Sequence, residues 1–424
     1  MKKTILISSL IVIAVLLAEA YRENLHMDWQ HYQRLYKNKL AALARTPQER
    51  KQAEGYEIQM RQVVLPELNR VDRCVICHAA VEDDRMKDMP NPLKAHPGNY
   101  LEIHEVETVG CTVCHDGQGR AVTEKDAHAL SILFWEKPLL SQPFVASNCL
   151  RCHHAASLPE LTLINKGRGL FYNNGCLGCH ELNGEGGSLA PDLSTMADAN
   201  IHLKYPKKKE IVERFRHNLN IAYIFESIRQ PQIQPEITAM PEFNFTDEEV
   251  LALTAFLKGF SQKAVPASYI IWKERQKRRP EQVDGETLYR KYCIACHGAD
   301  ARGGVKNINY VKETVPALNT LAERMFLDNP LDIRYVADLL KKGIDIENMT
   351  PPLDVPKRGR VLAQYRAIYN VIEKGSPAGK ADPTGPEPLL HMPSWARGLT
   401  DEDIHNILAY LLTLSPSALQ KTEE

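Results

Sequence analysis

The chain has 424 residues, 25% of them charged, and a formal net charge of -1. A balance that close to neutral excludes a global field for nucleic acid. The length allows about two to four domains, and 26 prolines with 23 glycines mark many loops.

Lys2 and Lys3 precede an apolar run over 5–18, followed by Ala18-Glu19-Ala20. A basic start, an apolar middle and small residues make a signal-peptide layout. The alternative is a retained anchor, although the run is shorter than the ~20 residues of a usual span. In both cases the basic end is cytoplasmic and the rest of the chain lies across the inner membrane. Residues 21–70 carry Tyr32, Leu35, Tyr36 and Leu40 at helical spacing. One or two helices are expected there, broken near Thr46-Pro47 and near Pro66. His26 and His31 read as surface histidines near the membrane, with distal ligation as the alternative.

All ten cysteines fall into five copies of Cys-x-x-Cys-His: Cys74, Cys77, His78; Cys111, Cys114, His115; Cys149, Cys152, His153; Cys176, Cys179, His180; and Cys293, Cys296, His297. The pattern is the attachment site of c-type haem. Two thiols add to the two vinyl groups of the macrocycle, and the next histidine coordinates the iron. A lone Cys-x-x-Cys would also suit zinc or a dithiol. With histidine at roughly 4% of the chain, five chance followers have odds on the order of one in ten million. Five covalently attached haem c groups are therefore expected, and no cysteine is left for a disulfide.

Three of these sites lie within 71–160, where apolar material is thin. Haem packing must supply the core. Three spare histidines, His96, His104 and His128, match three irons, so bis-histidine ligation is expected, with the pairing open. Met89 before Pro90 is a rival distal ligand, and His154, next to proximal His153, would serve only a neighbouring haem. The stretch from Gly110 through Gly117, Gly119 and Arg120 to His128 resembles the haem-binding segment of multihaem subunits in bacterial quinol-oxidising complexes.

Residues 161–262 show another order. Gly167, Leu170 and Phe171 lead into Cys176. Ala190-Pro191 follows His180, Met240-Pro241 comes 60 residues after His180, and Thr246-Asp-Glu-Glu249 is a capping box. Val250, Leu253, Phe256, Leu257 and Phe260 then form one helical stripe. This order resembles the class I cytochrome c fold. The resemblance implies Met240 as distal ligand, with Met196 a weaker rival, and Pro191 near the proximal imidazole.

A charged linker over 263–282 is expected to be solvated, as are Lys207, Lys208 and Lys209. The class I order then repeats over 283–418: Gly285, Leu288 and Tyr289, the site at Cys293, Met392-Pro393, and Thr400-Asp-Glu-Asp403 before Ile404, Ile407, Leu408 and Leu411. The repeat supports both assignments. Met392 is the implied distal ligand, with Met349 a rival; His391 reads as a loop residue and His405 as a surface or packing residue rather than a ligand. His297 to Met392 spans 95 residues, so an insertion is expected at about 305–390, with helical stretches from Asn329-Pro330 and from Val361.

The expected fold is mainly α: a trihaem segment, then two class I domains, after a signal or anchor helix. The chain resembles bacterial pentahaem c-type cytochromes. Thioether ligation raises the potential of an iron above that given by imidazole, so three lower-potential sites precede two higher ones. The expected function is single-electron transfer as the periplasm-facing subunit of a membrane quinol-oxidising complex. Expected partners are cytochrome b-like subunits and a cytochrome, oxidase or reductase as acceptor. The alternatives are a freestanding periplasmic relay and, further off, an enzyme with one open iron. With every iron six-coordinate, no catalytic residue is expected.

Overall fold

A computed structural model describes residues 2–129, 135, 137–153, 158–198, 205–215, 218–233, 238–261, 283–396 and 398–419. The expected linker at 263–282 and His154 lie outside these residues.

The chain opens with α1 (Lys2–Leu25), α2 (Asp28–Leu43) and α3 (Pro47–Glu54). α1 spans about 36 Å at 1.5 Å per residue. It is long and apolar enough to cross a membrane, and none of its apolar stretch is buried against the protein. A signal sequence has the same character. Thr46 caps α3 by accepting from the Glu49 amide, and Pro47 sits where a missing N–H costs nothing. This is the expected break. Tyr36 and Leu40 of α2 pack with Ala53, Ala80, Met86 and Leu93 in a small cluster, with Met89 against it. His26 and His31 are exposed.

A short hairpin follows, β1 (Val63–Leu65) antiparallel to β2 (Arg70–Asp72). From there to His153 the described backbone makes turns and short helices, none longer than the eight-residue 3-10 stretch Phe144–Arg151. No described apolar residue between Leu93 and Leu140 belongs to that small cluster or to the large core. A folded stretch this poor in side-chain core needs another source of buried apolar area.

The rest is mainly helical, apart from a short antiparallel pair of Glu181–Leu182 with Glu185–Gly186; its longer helices are α4 (Thr162–Asn173), α5 (Leu219–Arg229), α6 (Asp247–Lys258), α7 (Gly285–Tyr292), α8 (Pro330–Lys341), α9 (Arg358–Lys374) and α10 (Asp401–Thr413). α4 crosses α6, α7 crosses α10, and α5 and α8 pack on α6 and α10 in turn. α8 and α9 begin where the sequence placed helices. α8 takes in the second repeat the place of α5 in the first, so what sets the second repeat apart is α9 and the loop after it. Both capping boxes form, Thr246 with Glu249 and Thr400 with Asp403. The stripes they open are buried: Val250, Leu253, Phe256 and Leu257 in one repeat, Ile404, Ile407, Leu408 and Leu411 in the other.

Each crossing turns on one glycine. A Cβ at Gly167 would collide with the Ala252 carbonyl and stand 2.9 Å from Phe256 Cβ. A Cβ at Gly285 would collide with the Asn406 carbonyl and stand 2.9 Å from Tyr410 Cβ. The aromatic residue one turn on then locks the pair: Phe171 lies 5.5 Å from Phe256, and Tyr289 lies 5.5 Å from Tyr410. The aligned glycines thus permit backbone contact between crossing helices. Alanine at either position should destabilise its repeat by about 1–3 kcal/mol through overpacking, as read by denaturant unfolding. A loss below the measurement error at both positions would contradict this account.

Candidate cofactor and ligand sites

All five attachment segments share one backbone conformation. The histidine amide donates to the carbonyl of the first cysteine, at 2.9 Å for His78, His153 and His180 and 3.0 Å for His115 and His297. The second cysteine amide donates to the same carbonyl at 3.2–3.3 Å. Each segment is thus one helical turn with both thiols and the imidazole in fixed relation. None of the ten cysteines is in a disulfide, and all ten are half-buried. Among the described residues no cluster of His, Cys, Asp or Glu is arranged to hold a bare metal ion. Thiols and imidazole held together on one turn are the arrangement that thioether attachment of haem requires.

In the N-terminal segment the histidines meet in couples. The ring centroids of His78 and His128 are 6.5 Å apart, those of His115 and His96 6.1 Å, and those of His153 and His104 6.2 Å. An imidazole nitrogen binds a first-row transition metal at about 2.0–2.1 Å and lies about 1.1 Å from its ring centre. Two imidazoles on opposite faces of one iron therefore stand about 6.3 Å apart, centre to centre. The three spare histidines and the three proximal ones form couples at this spacing. A cavity of about 390 Å³ opens beside His78, with Tyr56, Val63, Val75, Ala79 and Val106 in its walls.

Backbone carbonyls fix the tautomer of several rings. Nδ1–H donates to Pro97 O at 3.0 Å in His96 and to Tyr100 O at 3.2 Å in His104. It donates to Pro191 O at 2.8 Å in His180 and to Pro316 O at 3.1 Å in His297. Each bond leaves the Nε2 lone pair for a metal. Burial, then the neighbouring His128 and His115, push the His78 imidazole below its ordinary range. Burial, then His96, do the same for His115, and burial dominates at His180 and His297. The neutral, ligating form is favoured at each.

Pro191 stands where the sequence put it. Its counterpart Pro316 was missed, yet both open a Pro-x-Leu triplet, Pro191-Asp-Leu193 and Pro316-Ala-Leu318. The longer gap after His297 hid the match. Met240 is half-buried on the loop ahead of α6. Met392 packs against the large core, and its backbone pairs with Ser376. Of the rivals, Met196 is buried in the core and Met349 packs on it. His391 is exposed. His405 is buried, its Nε2 2.7 Å from the Tyr365 hydroxyl, which makes it a packing residue.

The segments adjoin in chain order. The Arg73 amide, just ahead of Cys74, donates to Gly119 O at 2.8 Å, which ties the first segment to the stretch after the second. Asn148 Nδ2 donates to Cys114 O at 2.8 Å, which ties the second segment to the third. Gly178 of the fourth segment packs against Tyr292 beside the fifth, and Gly175 against Ile294 and Ala295, across the two C-terminal repeats. Two carboxylates unseen in the sequence hold the second segment. Asp72, at the end of β2, accepts from the Cys111 amide at 2.7 Å, the Thr112 amide at 2.8 Å and the Thr112 hydroxyl at 2.6 Å. Asp116, directly after His115, receives Arg151 at 3.1 Å and Lys258 at 3.6 Å, all three buried. Burial alone would push the Asp116 carboxyl up; Lys258 and Arg151 outweigh it and hold it below the usual range. Lys258 is pushed down, because burial, with the nearby Arg151, outweighs Asp116 and Asp198.

Residues 164–261 and 282–415 each match the cytochrome c family. Over 120 residues the chain is 31% identical to the C subunit of nitric oxide reductase from Stutzerimonas stutzeri, an alignment covering 27% of this chain and 73% of that protein. Over 101 residues it is 29% identical to cytochrome c oxidase subunit 2 of Alkalihalophilus pseudofirmus, covering 24% of this chain and 26% of that protein. No solved structure matches the chain.

Proposed function

This chain belongs to the cytochrome c family, and we propose that it is a five-haem electron carrier serving a membrane quinol-oxidising complex. Membership in the family implies covalently bound haem c. That group supplies reversible one-electron chemistry at iron. The five cysteine pairs would anchor it at five turns, with His78, His115, His153, His180 and His297 as one iron ligand each. The second ligands would be His128, His96 and His104 in that order, then Met240 and Met392. The observation that carries the reading is the set of three imidazole couples at 6.1–6.5 Å.

The residues do three things. The shared helical turn holds each imidazole in a fixed relation to its two anchoring sulfurs. The carbonyl partners of Nδ1 keep the ligating nitrogen unprotonated. The change of distal ligand from imidazole to thioether grades the chain, since a thioether raises the potential. That grading biases transfer from the N-terminal segment towards the C-terminal repeats.

The apolar α1 supports attachment to the inner membrane, with everything after it on the periplasmic side. One such helix cannot enclose a quinol site, so a cytochrome b-like partner is proposed for that task. The two relatives are named as subunits of a nitric oxide reductase and a cytochrome c oxidase, which supports an oxidoreductase partner as electron acceptor. The chain itself is proposed to conduct rather than to catalyse.

Mass spectrometry of the mature protein should show five covalent haem additions, and a redox titration should resolve a lower group of three centres and a higher group of two. Fewer additions would end the five-site reading. Five additions with one narrow cluster of potentials would remove the grading alone.

A further inference from the structure

The two C-terminal repeats meet through their attachment turns. Gly175 has φ +68°, and a Cβ there would stand 2.5 Å from Ile294 Cγ2 and 2.8 Å from the Ala295 amide nitrogen. A Cβ at Gly178 would stand 2.6 Å from the Tyr292 carbonyl oxygen. Both glycines lie in or beside the turn of one repeat, and all three contacted residues belong to the turn, or its approach, in the other. Leu177 and Tyr292 are buried in this contact region. Lys291 closes its edge: Nζ is 2.7 Å from Glu185 Oε2 and sits 5.2 Å from the Tyr172 ring centre and 5.0 Å from that of Tyr292. At the middle, Cys179 of one turn neighbours Cys296 of the other.

We infer that the fourth and fifth sites form one electronically coupled dihaem unit, with Gly178 as the residue that sets its spacing. The inference rests on the reading that both turns carry haem. A thioether sulfur is joined to the rim of its macrocycle through a single former vinyl carbon. Attachment turns packed backbone to backbone, as at Gly178 and Tyr292, therefore bring two conjugated rims close together. The approach is possible only because the turn between Cys176 and Cys179 has no side chain at Gly178; any Cβ would push the Tyr292 carbonyl away. Leu177, Gly178 and Tyr292 are buried at its centre, with the cysteines beside them half-buried. A charge change at one centre is then less screened at the other than it would be through water. The third site differs. It meets the fourth repeat through Leu150 and Ser147 against Gly259 at the end of α6, with the α4–α6 crossing in between. The C-terminal pair is thus more tightly coupled internally than it is to the N-terminal segment.

The test uses full-length mature protein and circular dichroism in the Soret region, where neighbouring haems give a paired positive and negative band. Gly178→Val should retain five haem additions by mass spectrometry and lose at least half of the part of that signal contributed by the C-terminal pair, identified by reducing the higher-potential centres alone. Lys291→Glu should weaken it through the Glu185 contact, and the double exchange Lys291→Glu with Glu185→Lys should restore it. If Gly178→Val fails to mature, the Lys291 series decides by itself. An unchanged signal in correctly loaded Gly178→Val, or in Lys291→Glu where only that variant matures, overturns the coupling. A wild-type protein lacking haem at Cys176 and Cys179 or at Cys293 and Cys296 overturns the underlying five-haem reading instead.

Discussion

Replacing His104 with alanine should leave five haem additions on the chain but turn one low-spin centre into a high-spin one. His104 is partnered by His153 at 6.2 Å, so the loss belongs to the third attachment site. The thioethers at Cys149 and Cys152 do not depend on His104, which is why the mass should not change by a haem. The iron facing the vacated position gains an open side. Its ferric spectrum should acquire a high-spin band, and added imidazole should remove that band. The potential of that centre should move by a sizeable part of the roughly 0.8 V that axial ligation commands. His96→Ala and His128→Ala should act likewise at the second and first sites. The Nδ1 bond from His104 to the Tyr100 carbonyl fixes the ligating tautomer, so glutamine at 104 should not rescue. A wholly low-spin spectrum in His104→Ala would refute the couple.

The second large effect is expected at Asp116. Its carboxylate is 1% exposed and faces Arg151 and Lys258, themselves 7% and 4% exposed. Asp116→Asn would leave two buried cations with an amide between them. Removing one partner from a buried charge cluster typically destabilises by about 3–5 kcal/mol. Lys258 belongs to α6 and Arg151 to the third attachment turn, so the loss should appear in the docking of the N-terminal segment on the first repeat. Chemical unfolding monitored by near-ultraviolet dichroism would measure it. Adding Lys258→Met to Asp116→Asn should recover part of the loss, because one of the stranded charges is then gone. A destabilisation under about 1 kcal/mol would mean that the cluster is solvated and the account wrong.

Several of these features could be read from the chain alone. The five attachment turns, the two capped helices with their apolar stripes and the paired glycines before Cys176 and Cys293 are all local patterns, set by spacing along the backbone. The imidazole couples were legible as a count and not as a pairing, because His78 and His128, or His104 and His153, meet through loops with no periodicity to follow. Asp72, Asp116 and Lys258 left no sequence signal. An acidic residue after a histidine, or a lysine at a helix end, is ordinarily a solvated surface group, and only tertiary contact buries these. The contact between Cys179 and Cys296 was likewise invisible, since it joins two repeats that each look self-sufficient.

The three histidine couples interleave. The span from His96 to His115 lies inside that from His78 to His128, and the span from His104 to His153 crosses both. Any cut between 78 and 153 severs at least one couple, and any cut between 104 and 115 severs all three. This braid has no detachable strand: it must be gained, assembled or lost whole, whereas each C-terminal repeat closes on its own helices.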